Sequence, residues 1–323
     1  MKQLLFPCLV IMLLATVPRN ADASGESTGL HFLLIGPSAR NMGASDGHTA
    51  SLTGPSAIYL NPALLSHEKN SSATLSYMLW PATDTQNSFA GLNYRSGRQA
   101  FGIALLSSLN DDIPFRRSPT NTPDGYFAVR YFSLAGSYAR SIGPLALGVT
   151  GMYLHEQFFQ QDASGYGFNA GATFHLLDER VRLGAAVRNL GSMADLAETA
   201  TKLPSMFSFG TDIQLLQFST SAIDDEIPLL LSVSSDYNMP LNMSSGSEDE
   251  SLFAQDEGYI NAGVELNISE IIDLRTGIRS GDTQRRFSFG VGLLVSDFYF
   301  NYAFLPFMNG FGVAHALSLQ YQF

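Results

Sequence analysis

Residues 317–323 read Leu317-Ser318-Leu319-Gln320-Tyr321-Gln322-Phe323. Successive side chains of an extended chain point to opposite faces. This stretch therefore carries Leu317, Leu319, Tyr321 and Phe323 on one face and Ser318, Gln320 and Gln322 on the other. It is a strand with one apolar and one polar side. The same period recurs upstream. Tyr166, Phe168, Ala170, Ala172 and Phe174 alternate with Gly167, Asn169, Gly171 and Thr173, and Phe287, Phe289, Val291, Leu293 and Val295 alternate with Ser288, Gly290 and Gly292. From Ala73 onward about fourteen such segments follow one another.

Two architectures accommodate that pattern. A soluble β-sandwich turns its apolar faces inward; a membrane barrel turns them to lipid and keeps polar residues in the lumen. Segment length favours the barrel. About 250 residues over fourteen strands is ~18 each, and a tilted spanning strand takes ~9–11 of these. Connection length favours it too. Short links at 96–98, 141–144, 176–180, 267–271 and 296–297 alternate with long ones at 108–124, 155–164, 190–204, 238–256 and 305–314. Outer-membrane barrels have short turns on one side and long loops on the other. The exception is 214–228, long where a short turn is expected. Tyr321 and Phe323 close the last strand and are expected to act as the signal read by the outer-membrane assembly machinery. Tyr77, Trp80, Tyr94, Tyr138, Tyr153, Tyr299 and Tyr302 sit toward strand ends, where aromatic girdles meet the two membrane interfaces.

The other end of the chain is different. Met1–Ala23 reads as a secretory signal: Lys2, an apolar run from Leu4 to Val17, then Ala21-Asp22-Ala23 as a small-x-small cleavage site. The run is short of the ~20 apolar residues of a spanning helix. Cys8, the single cysteine, falls within it, so disulfides and thiolate metal sites are not expected in the mature chain. The expected division is 1–23 signal, 24–72 an N-terminal hatch, and 73–323 a barrel. A barrel in lipid must close, because an unpaired backbone group there costs several kcal/mol. The segment at Ala73 must then pair with the one ending at Phe323. Side chains alone fill the interior of about eight strands, so fourteen leave space. The stretch Phe32–Leu65, rich in Gly, Ala and Ser and without strand period, is the candidate to fill it. Ser38 is placed as the N-cap of a short helix interrupted at Gly43 and Gly47.

Net charge is -11, which argues against nucleic acid as a partner. No catalytic motif in its required context is present, so an enzyme is not expected, nor a cofactor or metal. His315 and Ser318, three apart on one strand, face opposite ways and make no nucleophile–base pair. The acidic run at 248–257 has no calcium-loop spacing. Arg275 and Arg279 share a face with Asp273, opposite Ile272, Leu274 and Ile278, and are lumen candidates. Arg40 is expected to pair with a lumen acid such as Glu265.

Phe32-Leu33-Leu34-Ile35-Gly36, Ala39-Arg40-Asn41-Met42-Gly43 and Ser56-Ala57-Ile58-Tyr59-Leu60-Asn61-Pro62-Ala63 resemble the N-terminal signature of the PorV/PorQ family, a branch of the FadL-type outer-membrane barrels. The resemblance singles out Gly36, Arg40, Met42, Gly43, Asn61, Pro62 and Ala63 as a hatch motif. Ser45-Asp46-Gly47-His48 is more polar than the family's usual run. The resemblance implies an outer-membrane location and, first, a component of a type IX-like secretion or attachment system that binds cargo proteins or other secretion components. The alternative it implies is a FadL-like transporter of hydrophobic small molecules. In either case Phe115, Phe127, Phe253, Phe307 and Phe311 are the aromatics expected to make outer-loop contacts. The residues do not separate the two.

Overall fold

The computed structural model describes residues 29–80, 84–119, 121–196, 199–222, 225–242, 258–282, 284–308 and 310–323. The expected signal segment 1–23, Phe253 and the acidic run 248–257 lie outside them.

Strands follow the sequence alternation. In order they are β1 (Ser72–Trp80), β2 (Thr85–Ser96), β3 (Gln99–Phe115), β4 (Gly125–Ile142), β5 (Leu145–Phe158), β6 (Gln161–Leu176), β7 (Val181–Met193), β8 (Asp195–Leu196), β9 (Thr199–Ala200), β10 (Met206–Ala222), β11 (Asp225–Pro240), β12 (Tyr259–Ile268), β13 (Ile272–Arg279), β14 (Phe287–Val295), β15 (Phe298–Pro306) and β16 (Val313–Gln322). All except the small β8–β9 hairpin close into one antiparallel barrel of fourteen strands, each paired with its sequence neighbour. The seam is β1 against β16, in register from Ser72 opposite Gln322 to Leu79 opposite His315. Closure joins Ala73 to the last strand, as the absence of edges in lipid requires.

The two faces have the expected chemistry. Leu75 is 62% exposed, Ile103 54% and Phe168 58%, all on the outer face. Asn93, Asn169, Asn261, Asn301, Ser208, Ser318 and Gln320 are buried on the inner one. An apolar exterior and a polar interior are the signature of a membrane barrel. The architecture is that of an outer-membrane β-barrel. No described helix is long and apolar enough to cross a membrane; the chain crosses with strands.

The wall is not uniform in height. β1 and β12–β16 have 9, 10, 8, 9, 9 and 10 residues, close to the minimum for a span. β3, β4, β10 and β11 have 17, 18, 17 and 16. Two expectations about connections are corrected. The 155–164 link is not long: β5 runs to Phe158 and β6 starts at Gln161. The 214–228 stretch is not a loop, since β10 reaches Ala222 and pairs with β11 throughout. Two girdle assignments are corrected as well. Trp80 and Tyr299 are buried, because each shares strand parity with inward residues (Met78; Asn301 and Ala303). Tyr77, Tyr94 and Tyr153 do face outward.

Residues 30–67 lie within the ring of strands and are mostly buried. A 3₁₀ turn at His31–Leu34, α1 (Ala39–Met42), α2 (Ala57–Leu60) and a second 3₁₀ segment at Pro62–His67 make up this insert. Ser38 is the N-cap of α1, as the sequence suggests, but the helix is a single turn ending at Gly43.

Candidate functional site

The insert meets the wall in two different ways. Its first half, 38–49, faces the low wall and is held by charge. Arg40 Nη2 donates to Glu265 Oε1 at 3.1 Å. Arg275 donates to Glu265 at 3.1 Å, Asp273 at 2.6 Å and Asn301 at 2.9 Å, and to the Tyr299 hydroxyl. One residue turn further, Asp46 Oδ2 accepts from Arg279 at 2.7 Å and Arg285 at 2.8 Å, and Asp282 approaches the same two arginines. Four guanidiniums thus meet four carboxylates. Isolated buried charge is costly unless paired and hydrogen-bonded, and this group is paired throughout. Asp236 is handled otherwise: its Oδ2 accepts the backbone N–H of His48 and, at 3.1 Å, of Thr49. Ser45 N donates to Ser288 Oγ at 2.7 Å, and that hydroxyl lies 3.0 Å from Ser45 Oγ.

The second half, 57–68, faces the high wall and is held by packing. Ala57, Ile58, Tyr59, Leu60, Leu64 and Leu65 join Phe89, Ala100, Ala104, Leu106, Ala135 and Ala139 in one apolar cluster. Wall glycines admit the insert's backbone. A Cβ at Gly148 would stand 2.4 Å from Ala63 N, and one at Gly171 2.0 Å from Asn61 Oδ1. Such approaches exclude any side chain. The few polar groups are satisfied: the Tyr59 hydroxyl lies within bonding distance of Ser133 O and Oγ, and Thr150 and Asn169 donate to Ile58 O at 3.0 and 3.2 Å. Asn61 Nδ2 donates to Thr49 O at 2.7 Å while its Oδ1 accepts from Ala63 N.

The insert ends on Glu68, buried, with no cation among the described residues within ion-pair distance. It accepts from Ser72 Oγ at 2.7 Å, Asn93 Nδ2 at 2.8 Å and Gln320 Nε2 at 2.6 Å. One carboxylate thereby ties β1, β2 and β16 together at the seam. Burial pushes its pKa above the usual carboxylate range, against the pull of those three donors. Burial also lowers His48 to about 4. It lowers His67 to about 3, with His175, stacked on it at 4.0 Å, adding to the shift.

All the hatch-motif residues fall on the insert. Arg40 does meet Glu265. Met42 is buried in a second cluster with Trp80, Leu305 and Phe307, and Gly43 lies against Gly290 backbone to backbone. Asn61 and Ala63 are fully buried, and a Cβ at Gly36 would strike Asn41. Arg275, Arg279 and Asp273 line the lumen as their parity requires, whereas His315 and Ser318 face opposite ways. The outer aromatics separate. Phe115 and Phe127 converge with Phe158 and Phe159 at ring distances of 5.4–5.8 Å. Phe307 is instead buried edge-on against Trp80, which removes it from the exposed set, and Phe311 is exposed. Tyr321 stacks on Phe298 at 4.8 Å near the rim, with Phe323 beside it. Asp46 and Glu68 escape the sequence reading. The polar run 45–48 is the trace of the first, since it supplies the groups that meet Arg279, Arg285 and Asp236.

A groove of about 640 Å³ crosses the outer face of the low wall, over the seam. Leu75, Tyr77, Leu293, Phe300, Leu317 and Leu319 are among the residues that line it. A small gap lies on the inner side of β1–β3, under Phe32, Ile35, Gly36 and Pro37. Ser76, Ser88 and Phe89 border both spaces.

No family model matches the chain, and no curated protein does. Its fold is similar to several solved outer-membrane proteins. The Ralstonia pickettii toluene transporter TbuX is 14% identical, over 90% of this chain and 98% of that one, with a TM-score of 0.56. The CymD monoaromatic hydrocarbon channel is 11% identical, over 90% and 98%, at 0.57. A Pseudomonas aeruginosa FadL homologue is 12% identical, over 93% and 100%, at 0.51. The FadL-like barrel implied by the resemblance is thus the fold; the narrower PorV/PorQ assignment finds no support in these comparisons.

Proposed function

We propose that this protein passes small hydrophobic molecules across the outer membrane, with residues 24–72 as a hatch. The observation that carries the reading is the pair of spaces on either side of β1–β3. The groove outside and the gap beneath the insert share Ser76, Ser88 and Phe89, so one layer of wall separates them. The outer space is lined almost entirely by apolar side chains, and its volume falls in the range of ~300–1,000 Å³ usual for small-molecule sites. The likeness to proteins described as toluene transporters and hydrocarbon channels supports the same reading. The secretion role expected first has no counterpart in those comparisons, so transport takes its place.

The two halves of the insert divide the work. Residues 57–68 are seated on glycines and continue through Glu68 into β1; they are the fixed part. Residues 38–49, apart from Ala39 and Met42 in the Trp80 cluster, are held by polar groups that water can replace, and they are the part that swings from the low wall. The test fills the groove. Ser88→Trp with Ala90→Trp, in full-length protein, is expected to cut uptake of labelled toluene by cells at least tenfold while the barrel keeps its heat-dependent mobility on gels. Unchanged uptake by a correctly folded variant would sink the proposal.

A further inference from the structure

Among the described residues, Asn87 is the buried amide whose nitrogen and oxygen both lack a hydrogen-bond partner. It faces the lumen from β2, opposite Met78 of β1 and Ser108 of β3 in the register of the wall. It is 6% exposed. Because neither atom is bonded, exchanging the two changes nothing. Other buried asparagines of the lumen behave differently. Asn61 donates to Thr49 O, Asn93 to Leu65 O and Glu68, and Asn169 to Ile58 O. Each ties the insert to the wall or to itself, and Asn87 ties nothing. A buried polar group without a partner costs stability. Stability alone therefore favours an apolar side chain of that size at this position.

The amide has a place to point. Asn87 lines the gap under the insert, with Phe32, Ile35 and Pro37 on the insert side and Met78, Phe89 and Leu106 on the wall side. Ser76 and Ser88 are the other polar residues there. The Ser76 hydroxyl donates to Leu317 O at 3.1 Å, and Ser88 is exposed toward the groove. No charged side chain is among the described residues that line the gap. The gap measures about 10 Å³, room for one water. Sites for small molecules are mostly apolar, with a few polar groups that fix orientation. The next residues along β2, Ser88 and Phe89, border both spaces. Asn87 thus stands beside the crossing from groove to gap.

We propose that Asn87 is the specificity-determining residue of this crossing, and that it selects neutral aromatic solutes bearing one hydroxyl group. The inference rests on the transport reading and deepens it. A primary amide offers an acceptor and two donors, and a hydroxyl is donor and acceptor at once. A phenolic solute sets its ring against Phe89 and its hydroxyl on Asn87, in the position that one water can hold. A hydrocarbon of the same shape leaves the amide unpaired. A carboxylate finds no cation in the gap. Sites that bond a hydroxyl discriminate against the analogue that lacks it, because their own polar groups are then stranded.

The test uses full-length protein in lipid nanodiscs and two probes of nearly equal shape, 4-fluorophenol and fluorobenzene. Binding is read from fluorine NMR titrations, with the signal of empty nanodiscs subtracted. 4-Fluorophenol is expected to bind about tenfold more tightly, or better. Asn87→Leu should remove that difference and leave fluorobenzene unchanged. Asn87→Ala, which adds no bulk, should do the same, and both variants should keep the parent's heat-dependent mobility on gels. Toluene uptake by cells carrying either variant should equal the parent's. Failure of this assignment therefore leaves transport standing, whereas failure of transport shows as absent toluene uptake in the parent itself. Equal binding of the two probes by the parent, the result of an amide that holds only water, or a preference that survives both substitutions overturns the assignment.

Discussion

The two sides of the lumen solve the same problem with opposite chemistry. On the low wall, β12–β15, the insert is held by guanidinium–carboxylate pairs, and beside it Asp236 of β11 accepts backbone N–H groups. On the high wall, β2–β7, it is held by apolar area; glycines let backbone touch backbone on both sides, at Gly148 and Gly171 here and at Gly277 and Gly290 on the low wall. The difference shows how a plug can be both secure and openable. Close packing is lost all at once when surfaces part, because dispersion and burial depend on contact. Charged groups keep a second favourable partner in water. A barrel that must release part of its plug is therefore expected to place ionic contacts under the moving part and packed contacts under the hinge.

The largest expected effect comes from reversing one charge. Arg40→Glu sets three carboxylates around Arg275; breaking a buried pair costs about 3–5 kcal/mol, and the one-fifth exposure of Arg40 and Glu265 puts this loss toward the lower figure. The melting temperature in detergent should fall markedly and ion conductance should appear. Glu265→Arg in the same chain should restore much of both. If the single variant melts like the parent, charge does not hold this side.

A smaller loss is expected on the other side from Gly148→Val. Overpacking costs about 1–3 kcal/mol, and the nearest atoms are backbone atoms of Pro62 and Ala63 that have little room to move. The comparison sharpens if this variant destabilises the barrel yet added salt leaves the loss unchanged. Tyr59→Phe removes one hydroxyl donor near Ser133 and should cost about 1 kcal/mol, read as a small shift in melting with uptake intact.

A change of pH acts through other groups of the insert. His48 and His67 are held near 4 and 3, below the ordinary histidine value of about 6.5. The native state then binds fewer protons than the unfolded chain in that interval. Their contribution is complete above about pH 6.5 and is lost as pH falls toward those lower values. Glu68, raised by burial, has the opposite sign: its contribution is complete below the usual carboxylate value and is lost as pH rises. Melting temperature should therefore decline from pH 7 to pH 5, and His48→Gln with His67→Gln should flatten the slope. An unaltered slope in the double variant removes these imidazoles from the account.

Much of the fold was legible because period two repeats along the chain, and a closed barrel is what such strands form in lipid. Parity alone places Arg275, Arg279 and Asp273 in the lumen. Where distance along the strand was used instead of parity, as for Trp80 and Tyr299, the side chain was assigned to the wrong face. Strand ends were harder. Pro228 and the acids near it read as loop in 214–228, yet an edge strand tolerates proline where it needs no bond. In the site, Arg40 and Glu265 were within reach of a guess because a buried cation needs an anion. Asp46 and Glu68 were not, since most of their partners, Arg279, Arg285, Asn93 and Gln320, are donors distant in sequence. The wall glycines looked like small lumen residues; that they admit the insert's backbone appears only when the insert is in place.

The most direct measurement tethers the side that is held to move. Ser45 and Ser288 hydroxyl oxygens lie 3.0 Å apart, so Ser45→Cys with Ser288→Cys can be joined by oxidation. The account predicts that toluene uptake is lost when the disulfide forms and returns on reduction. Full uptake with the disulfide complete would contradict it, and would mean that the insert does not open on its ion-paired side.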